Sequence, residues 1–92
     1  MTGADGRPIH TIVFSRAADR SLASLPVREQ ARVVAAIDAL AADPAGAANV
    51  KALKGRDAYR LRVGDLRVIY EFDGDAMVVL VLRIANRREA YR

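Results

Sequence analysis

The sequence predicts an α+β fold in the order β-α-α-β-β-β: a mostly antiparallel four-stranded sheet with a helical hairpin packed on one face. Three observations carry this. A β-branched run, "IHTIVF", lies near the start. Two stretches with helical apolar spacing follow, divided by Pro26. The second half then alternates apolar with other residues on both sides of Gly64-Asp65, as a β-hairpin requires. The 92 residues, 52% apolar and 28% charged, are enough for one packed core and too few for two. Residues 1–8 read as a flexible N-terminal tail and residues 9–92 as a single domain.

"IHTIVF", residues 9–14, is the first strand. Ser15 caps a helix through "RAADRSLASL", in which Ala18, Leu22 and Leu25 share a face. Pro26 breaks that helix and suits the start of the next, which carries Val33, Val34, Ile37 and Leu40 on one side and stops at "ADPAG". With so short a connection the two helices fold back on each other. Residues 47–55, "AANVKALKG", read as a loop or loose turn. Three strands follow, at about 58–63, 66–73 and 77–84, joined by turns at "GD" and "DGD". The last, "MVVLVLRI", is apolar on both faces and belongs in the middle of the sheet.

A two-residue loop at Gly64-Asp65 places Arg62 directly opposite Arg67, an arrangement that costs a few tenths of a kcal/mol to about 1 kcal/mol. Tyr59, Leu61, Val63, Leu66, Val68, Tyr70 and Phe72 then face the helices, and Arg60, Arg62, Arg67, Ile69 and Glu71 face away. The register of the last strand depends on whether the "DGDA" loop holds two or three residues. Three residues put Val78, Leu80, Leu82 and Ile84 in the core and Arg83 beside Arg67; two would aim Arg83 at the core, where a charge is costly. The three-residue register is preferred, with Met77, Val79 and Val81 as the floor of the open face. Asn86, Arg87 and Tyr91 add to one edge, and Lys51 and Lys54 to another. Guanidiniums fit phosphate oxygens and stack on bases, so a polyanion bound across the strands would offset the repulsion. The competing account is a solvated surface on which Glu71 and Asp65 each pair with an arginine.

Charge distribution points the same way. Residues 1–50 hold five basic and five acidic side chains, whereas residues 51–92 hold ten and six, which supplies the whole net charge of +4. There is no cysteine, which excludes disulfides and thiolate chemistry. No apolar run is long enough to span a bilayer, and "MTGADGRP" lacks the pattern of a signal peptide. A cytoplasmic protein is expected.

The stretches "KALKG", "AYRLRVGDLRVIYEF", "VVLVLRI" and "NRREAYR", in this order and spacing, resemble the RelE/ParE superfamily of type II toxin–antitoxin toxins, in its RelE-like branch. The resemblance runs from about residue 9 to the end. It implies a small ribonuclease that enters the ribosomal A site, cuts mRNA and is neutralised by a cognate antitoxin. Arg60, Arg62, Arg67, Arg87 and Tyr91 match the family's catalytic positions, and Lys51, Lys54, Arg83, Asn86 and Arg88 would contact RNA. The arginines would hold the scissile phosphate and balance its developing charge, with Tyr91 on a neighbouring nucleotide. The attacking group would be the RNA's own 2′-hydroxyl, so the resemblance implies neither metal nor cofactor. Arg60 and Arg62 stand where relatives often have lysine, and Ala85-Asn86-Arg87 where many read Gly-His-Arg. Arginine does not give up its proton, and Asn86 only hydrogen-bonds. Glu71 and Glu89 are the candidate bases, with a salt-bridge role as the favoured alternative for each, while the lone His10 is read as structural or surface. The expected antitoxin is acidic and partly disordered, in a higher-order hetero-oligomer. ParE-like poisoning of DNA gyrase and a catalytically degenerate RNA-binding relative are the alternatives.

Overall fold

Five strands form one sheet in the order β1-β5-β4-β3-β2 in the computed structural model, which describes residues 10–44, 46–55 and 57–86. They are β1 (Thr11–Phe14), β2 (Val50–Ala52), β3 (Tyr59–Val63), β4 (Leu66–Asp73) and β5 (Val78–Asn86). β1 runs parallel to β5, and every other pairing is antiparallel. The expected N-terminal tail and the positions of Arg87, Arg88, Glu89 and Tyr91 lie outside the described residues.

The two helices are α1 (Arg16–Ser24) and α2 (Val27–Ala42). Ser15 caps α1, its hydroxyl accepting from the Ala18 amide at 3.0 Å. Pro26 is the N-cap of α2, and the Gln30 side chain closes the corner by donating to the Leu25 carbonyl at 2.8 Å. Val33, Ile37, Leu40 and Ala41 of α2 are buried against the sheet. Val34, expected on that side, is 40% exposed, because its place on the helical wheel falls at the edge of the buried stripe. The core is completed by Ala18, Leu61, Val68, Tyr70, Val79, Val81 and Ile84.

Two expectations about the sheet are corrected. The sheet has five strands rather than four, because residues 50–52 of the expected loop pair with β3: Val50 with Leu61, Lys51 with Arg60 and Ala52 with Tyr59. Val50 thereby packs against the core and covers the edge of β3. Left-handed backbone at Asn49 (φ 63°) and Gly55 (φ 75°) brackets this short strand. The register of β5 is the second correction. Asp73 pairs with Val78, so the loop is Gly74–Met77, and Phe72–Val79 and Tyr70–Val81 share the core face. A bulge then intervenes, beyond which Ile69 pairs with Arg83 and Val68 with Ile84. The bulge, rather than the loop length, keeps Arg83 out of the core. The open-face floor is consequently Val78, Leu80, Ile69 and Ala85, and not Met77, Val79 and Val81.

Beyond the C-terminal end of α2, the helix-side face of the sheet is aromatic. Tyr59 and Tyr70 stack at 5.5 Å, and the ring of His10 tilts against Phe72 at 5.1 Å while its Nδ1–H donates to the Ala41 carbonyl at 3.0 Å. These residues line an apolar groove of about 620 Å³. Burial, reinforced by the neighbouring Tyr59, pushes the Tyr70 hydroxyl up to about 12. The unfolded chain releases that proton near pH 10. Its stabilising effect is therefore present below pH 10 and lost as pH rises from 10 to 12. Denaturant midpoints should fall across that window in the parent protein and much less in Tyr70→Phe.

Candidate nucleic-acid interface

The face of the sheet opposite the helices gathers cations from four strands. Alternation along β3 and β4 turns Arg60, Arg62, Arg67, Ile69 and Glu71 outward while Leu61, Val68 and Tyr70 go inward. Lys51, Arg60, Ile69 and Arg83 form one row across β2, β3, β4 and β5. Arg62, Arg67 and Ala85 form the next, about 7 Å further along the strands. Five cationic side chains thus share two adjacent rows over an aliphatic floor. The other end of this face is acidic, with Glu71 and Asp73 exposed on β4 and Asp57 exposed before β3.

Arg62 does lie opposite Arg67, and the two guanidiniums have different surroundings. Arg67 is only 8% exposed, and its Nη1 donates to the carbonyls of Gly64 at 3.3 Å and Leu66 at 3.1 Å, against its own hairpin turn. Gly64 has φ 60°, and a side chain there would meet the Arg32 guanidinium at 2.9 Å. Arg62 and Arg83 are exposed, while Arg60 is half-buried with its Nε–H shielded from solvent. The repulsion is lowered by dividing the arginines between two environments: one held by carbonyl dipoles, others facing water. A buried guanidinium that keeps its charge beside exposed ones makes a fixed positive field that an anion can enter without rearranging the sheet.

Two expected members sit elsewhere. Asn86 pairs with Leu66 and so has the opposite parity to the arginines. It lines a separate groove of about 460 Å³ with Ser21, Ser24 and Arg32, on the helix side of the sheet. Lys54 is exposed in the turn after β2, off the end of the strand row. Lys51, conversely, is more tightly integrated than a loop residue, because β2 fixes it beside Arg60. Among the described residues, no three His, Asp or Glu side chains are grouped to hold a metal ion, and no helix is long and apolar enough to cross a membrane.

The sequence from residue 12 to residue 91 matches the family model of the ParE toxin of type II toxin–antitoxin systems. The chain belongs to the RelE/ParE superfamily of toxins. Its fold is shared with the toxin–antitoxin complex RelBE2 of Mycobacterium tuberculosis, at 30% identity and TM-score 0.75, over 87% of this chain and all (100%) of that one. The archaeal RelE–RelB complex of Pyrococcus horikoshii OT3 gives 28% identity and TM-score 0.77, over 89% of this chain and 99% of the other. The isolated RelE toxin of E. coli, at 21% identity and TM-score 0.73 over 89% and 90%, matches in fold. No curated protein matches the sequence significantly. The RelE/ParE fold does not by itself fix an activity, so function has to be argued from the side chains the fold displays.

Proposed function

We propose that the protein is a ribosome-dependent mRNA endoribonuclease, the toxin of a type II pair, acting in the cytoplasm and neutralised by a cognate antitoxin. The observation that carries this is the two-row cluster of Lys51, Arg60, Arg62, Arg67 and Arg83 on the sheet face opposite the helices. Single-stranded RNA laid across the strands would bring its phosphates onto these rows while its bases meet the aliphatic floor. Cleavage needs attack of a ribose 2′-oxygen on the adjacent phosphorus and rupture of the bond to the 5′-oxygen. The products are a 2′,3′-cyclic phosphate and a 5′-hydroxyl; the 2′ proton passes to solvent and the leaving oxygen takes one up. The arginines hold the phosphate and offset the extra negative charge of the transition state. Arg87 and Tyr91 would complete the site from the C-terminal segment.

Structures of relatives in complex with RelB-type antitoxins support an antitoxin partner for this chain. An acidic segment complements the open face, and covering it would block RNA. A second reading, poisoning of DNA gyrase, is favoured by the match to the ParE model. Primer extension on a defined mRNA in a purified translation mixture separates the two. Cuts within the A-site codon that vanish when ribosomes are omitted are expected. Toxicity without cuts, accompanied by gyrase-dependent DNA breaks, would transfer the assignment to gyrase.

A further inference from the structure

We propose that Ser15 is a positioning residue for the RNA-contacting face: its hydroxyl holds the β5 bulge at Leu82 and thereby sets Arg83 among the arginines. The inference rests on the reading of that face as the phosphate-binding surface. Before the bulge, Tyr70 pairs with Val81. Continued without interruption, that register would pair Ile69 with Leu82 and Val68 with Arg83. Val68 is fully buried, at 0% exposure, so Arg83 would be driven under the helices. The extra residue, Leu82, reverses the parity and pairs Arg83 with Ile69 in the row of Lys51 and Arg60.

A bulge leaves ladder groups without their usual cross-strand partners. Ser15, between β1 and α1, takes the carbonyls on both sides of the reversal. Its amide donates to Val81 at 2.8 Å and its hydroxyl donates to Leu82 at 2.7 Å. The same oxygen accepts from the Ala18 amide as the helix cap. Both roles need one short group that donates and accepts, which serine and threonine supply. Aspartate caps equally well but has no proton to give and would set a negative charge against the Leu82 carbonyl.

The test compares Ser15→Asp, Ser15→Thr, Arg83→Ala and the Ser15→Asp/Arg83→Ala double variant with the parent. The readouts are anisotropy titrations of a fluorescent single-stranded RNA oligonucleotide at several salt concentrations, and the cross-strand NOE between the backbones of Ile69 and Arg83. Ser15→Asp should lose the NOE and bind about tenfold more weakly, the effect of one charge-assisted contact. Its slope of log K against log salt should fall by about 0.7, the value for one phosphate on a single strand. Arg83→Ala should reproduce both binding changes, the double variant should bind no more weakly than Arg83→Ala, and Ser15→Thr should behave as the parent. If Ser15→Asp does not fold, Ser15→Gly replaces it, since glycine is tolerated at a helix cap and lacks the hydroxyl. An intact NOE with parental binding in the hydroxyl-less variant, beside weakened Arg83→Ala, would overturn the role of Ser15 and leave the RNA face standing. Parental binding in Arg83→Ala would instead overturn the phosphate contact on which the proposal depends.

Discussion

Replacing Arg62 and Arg83 together by alanine should abolish growth arrest when the protein is induced in a bacterial host, and should leave the fold intact. Both side chains are exposed, so their loss should shift stability by no more than about 0.5 kcal/mol each. Two phosphate contacts removed from a single strand lower the slope of log K against log salt by about 1.4. At about 1.4 kcal/mol per contact, RNA affinity falls about a hundredfold. Arg67 is less suited to this experiment. Its guanidinium also holds the Gly64 and Leu66 carbonyls, so its truncation would mix loss of charge with loosening of the hairpin turn. Full toxicity of the exposed pair's double variant, at parental protein levels, would remove the open face from the function.

Ile37→Ala in α2 has the largest expected effect on stability. Ile37 is 1% exposed in the cluster that joins the helix to Val68, Val79 and Val81. Deleting its branched side chain should cost about 2–5 kcal/mol. A domain of this size has about 5–15 kcal/mol in total, so the variant approaches unfolding at 37 °C. Urea denaturation followed by circular dichroism should show a lower midpoint with an unchanged slope. The exposed Val34→Ala, one turn away, is the control and should move the midpoint little.

The hairpin that carries Arg60, Arg62 and Arg67 was readable in advance because two strong local signals coincide there. Gly64-Asp65 specifies a tight turn, and strict alternation on both sides fixes which residues go inward. The β5 register was not readable. Between Val78 and Leu82 every residue is aliphatic, so an offset of one changes nothing in the hydropathy pattern. Only the charge of Arg83 indicated the face beyond, and a bulge satisfied that constraint in place of the assumed loop. β2 escaped because three residues, "VKA", contain too little periodicity to distinguish a strand from a loop; its existence depends on the open edge of β3. Asn86 illustrates a related limit. It is adjacent in sequence to the expected site, yet strand parity sends it to the helix side. The carbonyls to which Arg67 donates are presented by the turn, which no residue pattern reports.

The most direct test of the central claim is to record amide NMR spectra of the isotopically labelled protein while adding a short single-stranded RNA. If the open face is the interface, perturbations concentrate at Lys51, Arg60, Arg62, Arg67, Ile69, Arg83 and Ala85, and shrink as salt is raised. Perturbations confined to the Tyr59–Tyr70–Phe72 groove or to the helices, with the arginine rows unmoved, would contradict it.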